Sequence, residues 1–184
     1  EVKNNYFYHD YNLFTSLASC IEMGGNFAPA WPATPRFCTV SGNTFEAPYP
    51  AIHQGQSVYL TNCHDCIVER NHIKNWSIGP VVAAEAGDMN EFTSYNIIIR
   101  RNLIQSYYSS VIVGAFSSFY MPVYNIWVDS NTCYGSVDEN SSLGQGPTEG
   151  LLVTNNILLN GITGLHTASH NTTENVIRID NLYA

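Results

Sequence analysis

Three ionisable residues, Glu69, Arg100 and Asp129, stand 31 and 29 residues apart, each two residues before an asparagine. Equal placement in a repeat puts them in one column, and that column holds groups capable of acid–base work. Two strands apart, Glu69 and Asp129 would lie about 9–10 Å from each other. That is near the upper end of the ~6.5–9.5 Å between the carboxyls of an inverting glycosidase, where one protonates the leaving oxygen and the other activates water. Arg100 would instead be the proton-abstracting base of a lyase, with nearby carboxylates holding Ca2+ against a uronate. A third reading needs no substrate: opposite charges on neighbouring strands attract, and the column is then an ion-pair ladder. A hydrolase of this kind requires no cofactor; only the lyase would call for Ca2+, and the column shows no convergence of carboxylates on one cation.

What would position these residues is a repeat. Segments 2–7, 40–45, 68–73, 99–104, 128–133 and 153–158 superpose, with a β-branched residue three before an asparagine and an apolar residue two after it. A seventh copy, 177–183, fits with a one-residue shift ahead of its asparagine. The repeated residues are Asn5, Asn43, Asn71, Asn102, Asn131, Asn156 and Asn181, separated by 38, 28, 31, 29, 25 and 25 residues. Those are lengths of one solenoid coil plus loops. Cys38, Cys66, Ile97, Ile126 and Leu151 continue the alternation upstream, so each repeat reads as a short strand with inward residues at period two. The outward column is then Lys3, Ser41, Glu69, Arg100, Asp129 and Thr154. Second strands are expected over 18–23, 57–61, 80–85, 110–115 and 162–167, and helical periodicity is absent. Asparagine suits a coil corner because it tolerates the left-handed backbone region and because stacked amides can bond to one another.

The motif I/V-x-x-N-x-I/F at each coil resembles the pectate-lyase-like right-handed β-helix superfamily, over nearly the whole chain. The resemblance implies an all-β fold: a right-handed single-stranded parallel β-helix of about seven coils with an inward asparagine ladder. It would span 1–184, as one domain or as a segment of a longer β-helix. Lyases, glycoside hydrolases, epimerases, phage tailspikes and adhesins share that fold, so it does not select an activity. The polygalacturonase-like elements Asn-Thr-Asp, paired Asp, Gly-His-Gly and Arg-Ile-Lys do not occur; Ile177-Arg178-Ile179 is the nearest echo and lacks the lysine.

Composition narrows the partners. Net charge is −8, with Lys3 and Lys74 the only lysines. Nucleic acid is excluded as a partner, because phosphate binding needs clustered basic residues, and an anionic membrane surface is disfavoured for the same reason. No stretch approaches the ~20 apolar residues of a membrane span. A neutral polysaccharide remains, or an anionic one bridged by a cation. Trp31, Trp76, Tyr107 and Tyr108, with Phe116, Phe119 and Tyr120, read as loop or strand-end residues. There they either stack on sugar rings or cover coil edges. Sequons at Asn75, Asn140 and Asn171 are no more than chance supplies in a chain this rich in Asn, Ser and Thr, but their loop placement would make them usable as glycosylation sites in a secreted protein.

Cysteine usage bears on the compartment. Cys63 and Cys66 form a lone C-x2-C without a second pair, which argues against a zinc ribbon. Five cysteines are expected to give one or two disulfides and at least one free thiol, in an extracellular or secretory setting. Cys38 and Cys66, neighbours in one inward column, would either bond or stay as stacked thiols; the second is preferred, since in-register parallel neighbours strain the bond. The histidines are scattered, and no metal set is expected from them; His166 and His170 share a turn. Glu85, Asp88 and Glu91 read as a solvated loop bordering the same face as Glu69.

Glu1 opens almost directly into a strand and Tyr183 closes one, without a leader or a capping helix. The expectation is a segment of something longer, or copies stacked at open ends. The expected function is that of an extracellular β-helix that binds or processes polysaccharide over the face carrying Glu69, Arg100 and Asp129. The alternative is a non-catalytic structural module of a filament, matrix or adhesin.

Overall fold

Strands form where β-branched and aromatic residues recur at period two, and each pair of strands breaks around its asparagine. The computed structural model describes residues 1–8, 20–24, 35–47, 55–83, 93–115, 123–139, 148–159 and 177–183. In chain order the strands are β1 (Val2–Lys3), β2 (Tyr6–Tyr8), β3 (Ile21–Gly24), β4 (Thr39–Ser41), β5 (Thr44–Glu46), β6 (Gln56–Thr61), β7 (His64–Glu69) and β8 (His72–Ala83). They continue as β9 (Tyr95–Arg100), β10 (Leu103–Ala115), β11 (Val123–Asp129), β12 (Thr132–Glu139), β13 (Thr148–Thr154), β14 (Ile157–Leu159), β15 (Ile177–Ile179) and β16 (Leu182–Tyr183).

All of these strands pair in parallel. One sheet has seven strands in the order β1-β4-β7-β9-β11-β13-β15, and the other runs β16-β14-β12-β10-β8-β5-β2 with β3 and β6 attached. Each circuit of the chain adds one strand at the next place, the arrangement that a parallel β-helix requires. Among the described residues there is no helix, and so none long and apolar enough to cross a membrane.

Three of the strands after the asparagines, β8, β10 and β12, are long, at 12, 13 and 8 residues. Of the segment expected at 80–85, residues 80–83 are the far end of β8, and the one expected at 110–115 is the far end of β10. β5 pairs with the start of β8 at His72–Lys74, and β6 with its end at Ile78–Ala83. Register irregularities between Gln105 and Ser109 of β10 separate the corresponding halves there. The segment 162–167 lies outside the described residues.

Between the sheets, inward residues stack coil upon coil. Val40, Val68, Ile99, Val128 and Val153 form one buried row, and Cys66, Ile97, Ile126 and Leu151 another. Past the asparagines, Phe45, Ile73, Ile104, Cys133 and Leu158 form a third. Phe45 stacks on Phe7 at 5.0 Å and meets Trp76 edge-on at 6.0 Å. Such rows remove whole side chains from water, at about 1.5–3 kcal/mol for each large apolar residue.

The asparagines bond in series. Asn71 Oδ1 accepts from the backbone N–H and Nδ2 of Asn43, and Asn102 Oδ1 accepts the same two donors of Asn71, at 2.9–3.0 Å. Asn131, Asn156 and Asn181 repeat the pattern, and each Nδ2 also donates to a carbonyl of the preceding coil, as Asn102 does to Val68 O at 3.0 Å. The left-handed backbone does not sit on these asparagines. It falls one residue earlier, at Asn4, Gly42, Arg70, Arg101, Ser130, Asn155 and Asp180. Asparagine is therefore explained at these places by its amide and not by its tolerance of positive φ.

The seventh repeat carries no shift. Val153 pairs with Arg178 and Thr154 with Ile179, so the outward positions fall to Ile177 and Ile179, 50% and 49% exposed.

Candidate functional site

The outward face of the seven-stranded sheet is built from the residues between the inward rows. Register pairs Ser41 with Glu69, Glu69 with Arg100, Arg100 with Asp129 and Asp129 with Thr154. The three residues expected to share a column do so, on β7, β9 and β11. Their bonding divides them. Arg100 Nε donates to Glu69 Oε2 at 2.8 Å, while the exposed Arg70 approaches the other oxygen of Glu69 only to 3.9 Å. Asp129 is satisfied separately: Oδ1 accepts from Thr154 Oγ1 at 2.7 Å and Asn155 Nδ2 at 3.0 Å, and Oδ2 from Ser130 Oγ at 3.0 Å. Burial would raise the Asp129 carboxyl, but those three bonds, with Arg101 nearby, outweigh it and hold it below the ordinary carboxylate range. An acid held ionised by three donors is a poor proton donor.

The Glu69–Arg100 pair is half-shielded, so its worth is modest. A double-mutant cycle of Glu69→Gln and Arg100→Gln is expected to give a coupling of about 0.5–1 kcal/mol in urea unfolding, shrinking in high salt. A coupling near zero would show that the 2.8 Å bond does not hold the pair together in solution.

Beside this column runs a second outward row that a period-two reading would expect to be polar. Thr39, Ile67, Ile98, Trp127, Leu152 and Ile177 pair in register along it. Trp127 is 38% exposed, and its Nε1 donates to Thr154 Oγ1 at 2.9 Å. Thr154 in turn donates to Asp129. The chain Trp127–Thr154–Asp129 fixes the indole plane and uses up its N–H, leaving an apolar ring between Ile98 and Leu152 with a polar row at its edge.

A corner precedes β7. His64 Nδ1 lies 2.7 Å from Asp65 Oδ2, its ring stacks on Tyr95 at 4.6 Å, and Asn96 Nδ2 donates to the other Asp65 oxygen at 3.0 Å. The His64 contact, with the Asn96 bond, lowers the Asp65 carboxyl. Neither residue stood out in the sequence, because an adjacent His-Asp is common and the pairing depends on Asp65 taking a positive φ. Among the described residues no group of three or more His, Cys, Asp or Glu could hold a metal ion.

The remaining expected residues fall elsewhere. Trp76 is 1% exposed on β8, packed against Phe45 in the core, and offers no ring face to a sugar. Asn75, expected in a loop, is in the same strand with φ 57 and its Nδ2 bonded to Ala47 O at 3.1 Å, so the sequon nitrogen is already occupied. Tyr107 and Tyr108 lie on β10, and their side chains fall outside the described set. Trp31, Asn140, Asn171, Glu85, Asp88, Glu91, Phe116, Phe119, Tyr120, His166 and His170 lie outside the described residues. All five cysteines are free, so the one or two disulfides expected from the count are not formed, while Cys38 and Cys66 are free as preferred for them. For Cys38 and Cys66 the reason is geometric: side chains stacked in register on parallel strands meet side by side, where the disulfide torsion of about 90° is strained.

Comparison with protein-family models, with curated proteins and with solved structures gives no match for this chain.

Proposed function

We propose that this chain is a right-handed single-stranded β-helix of about seven coils, registered by its asparagine ladder and of the pectate-lyase-like kind, within an extracellular protein that binds polysaccharide. The observation that carries the reading is Trp127. Its ring is oriented by Thr154, flanked by Ile98 and Leu152, and bordered by Asp129, Asn155 and Ser130. A pyranose presents an apolar C–H face and a rim of hydroxyls, and a half-exposed indole beside hydroxyl, amide and carboxylate groups complements both. Binding is favoured over cleavage because Glu69 is engaged by Arg100 and Asp129 by three donors. Net charge of −8 favours a neutral glycan over a uronate.

The test is binding of the full chain to a panel of soluble neutral and uronate polysaccharides, with product release followed in parallel. Binding to a neutral glycan, weakened about tenfold or more by Trp127→Ala, corresponds to ~1.4 kcal/mol at one ring and is the expected result. No binding across the panel overturns the reading. Bond cleavage abolished by Glu69→Gln would restore the catalytic one.

A structural module of a filament, matrix or adhesin is the second reading, favoured by one observation. Ile177 and Ile179 of β15 and Leu182 of β16, strands of the two different sheets, are half-exposed apolar residues. They suit contact with further β-helix segments or copies. Concentration-dependent assembly in sedimentation, lost in Ile179→Lys, would support it.

A further inference from the structure

At the corner after each strand of the seven-stranded sheet, one residue per coil takes the left-handed backbone and stands on an outer ridge. In chain order the ridge reads Asn4, Gly42, Arg70, Arg101, Ser130, Asn155 and Asp180. Glycine and short polar residues suit such a corner, because they either lack a Cβ or bond to the backbone beside them. Arginine has neither advantage. Two arginines in succession are worse placed still, since like charges directly opposite on neighbouring strands repel. Register makes them neighbours. Glu69 pairs with Arg100 before the corner and His72 with Leu103 after it, while Arg70 N–H donates to Arg100 O and Arg101 N–H to Asp129 O. Their Cα atoms are thus one strand spacing apart, ~4.8 Å. The same φ of 55 at both starts the two side chains off the ridge in one direction.

Both arginines are exposed. Arg101 has no hydrogen-bond or ion-pair partner among the described residues. Arg70 comes no nearer than 3.9 Å to Glu69 Oε1, and its side chain is 60% exposed. The two carboxylates in reach are engaged by other groups: Glu69 by Arg100, and Asp129 by Thr154, Asn155 and Ser130. Arg70, Arg100 and Arg101 against Glu69 and Asp129 leave one positive charge over, in a chain of net charge −8. The pair sits mid-stack, with Gly42 before it on the ridge and Ser130 after it. Gly42 has no side chain to cover the guanidiniums, and Ser130 turns its hydroxyl to Asp129.

We propose that Arg70 and Arg101 form a binding fork for a tetrahedral oxyanion, a sulfate or phosphate group that is free or carried as a monoester on a sugar. A planar guanidinium offers parallel N–H donors to two oxygens at once. A carboxylate has only two oxygens, which one such fork fills. Two guanidiniums on adjacent coils reach three or four oxygens, the number a tetrahedral anion supplies. The bound anion also cancels the repulsion between the arginines, so one ligand accounts for both the like-charged pairing and the two left-handed arginines. The negative chain repels a polyanion at long range, whereas the fork acts within the ~8 Å over which charges are felt at physiological salt. A single anionic group is therefore the ligand that fits. Trp127 takes no part in this site, so absence of glycan binding at the indole and absence of anion binding at the ridge are separate results.

The experiment titrates sodium sulfate, a glucose sulfate monoester and glucose into the full chain at constant ionic strength, following the arginine Nε–H signals by NMR. Saturable shifts at Arg70 and Arg101 are expected, with a dissociation constant on the order of 1 mM for sulfate, and none at the exposed Arg36. Tighter binding of the monoester than of sulfate supports the fork and assigns it to a sugar ester; equal binding supports it and assigns it to the free anion. Arg101→Asn should weaken sulfate about fivefold or more, through loss of one charge-assisted fork. It should not lower the urea midpoint, since asparagine already holds this corner at Asn4 and Asn155. Glu69→Gln should tighten sulfate about threefold, because it removes an opposing charge and releases Arg100, a gain that no loss of folding imitates. No saturable shift up to about 20 mM sulfate overturns the fork. Equal shifts at Arg36 also overturn it, as does Arg101→Asn binding sulfate as tightly as the unaltered chain.

Discussion

Asn102→Ala is expected to cost about 3–5 kcal/mol in urea unfolding, while Asn5→Ala costs under about 1 kcal/mol. The difference lies in the direction of the row. Each Oδ1 accepts from the asparagine of the preceding coil, so removing Asn102 takes the acceptor from both the N–H and the Nδ2 of Asn71. The Asn71 N–H is then left buried without its acceptor, and Val68 O loses its bond from Asn102 Nδ2. Each such orphan costs about 1–3 kcal/mol, and the gap left by the amide adds to it. Asn5 stands at the other end of the row: Asn43 Oδ1 keeps the Asn5 backbone N–H when the side chain goes. Asn102→Asp sharpens the test. Its carboxylate keeps an acceptor for Asn71 but turns an oxygen toward Val68 O and Asn131 Oδ1 in place of a donor. A carboxyl buried against acceptors has a raised folded pKa, so the acid form is favoured on folding. The variant should therefore be destabilised at neutral pH and recover relative to the unaltered chain as pH falls. Equal losses for Asn5→Ala and Asn102→Ala would show that the amides contribute little.

The asparagine spacing and the β-branched residue three positions upstream located β4, β7, β9, β11 and β13, because inward positions on a strand alternate and only apolar residues fit them. The corner itself was harder to read. Left-handed tolerance is shared by many polar residues, and which of two adjacent residues takes it depends on which side chain must turn inward. Here that side chain is the asparagine, so Arg70, Arg101 and Ser130 accept the strained φ. The outward face was legible in its charged column, since Glu69, Arg100 and Asp129 align by simple counting. Its apolar row was hidden inside triplets such as Ile97-Ile98-Ile99 and Ile126-Trp127-Val128, which read as strands apolar on both faces. Trp76 shows the opposite difficulty: Asn75 takes φ 57 and turns the next residue into the core, which aromatic content at a presumed strand end does not reveal.

Gly79→Ala tests a contact that no sequence pattern announces. Gly79 lies in β8 beside Ser110 of β10, and a Cβ built there would collide with the carbonyl oxygen and carbon of Ser110, with Ile104 Cγ2 3.1 Å away. Replacing a strand glycine by alanine ordinarily stabilises by about 0.4–1 kcal/mol, through the unfolded chain. The collision here is with backbone, which cannot rotate away as a side chain does, so β8 and β10 must separate or lose their pairing. Overpacking of this kind costs about 1–3 kcal/mol and more where backbone is involved, so the net expectation is a loss of about 3 kcal/mol. For a chain of this length that is a fall of roughly 6–12 °C in melting temperature. Gly24→Ala is the control, because its new methyl meets chiefly the Thr61 side-chain methyl and not the backbone of the paired strand. It should cost about 1 kcal/mol or less, by the same balance of overpacking against chain entropy. A Gly79→Ala chain melting within about 2 °C of the unaltered one would mean that the close approach of β8 to β10, and with it the continuity of the two longest strands, is not held in solution.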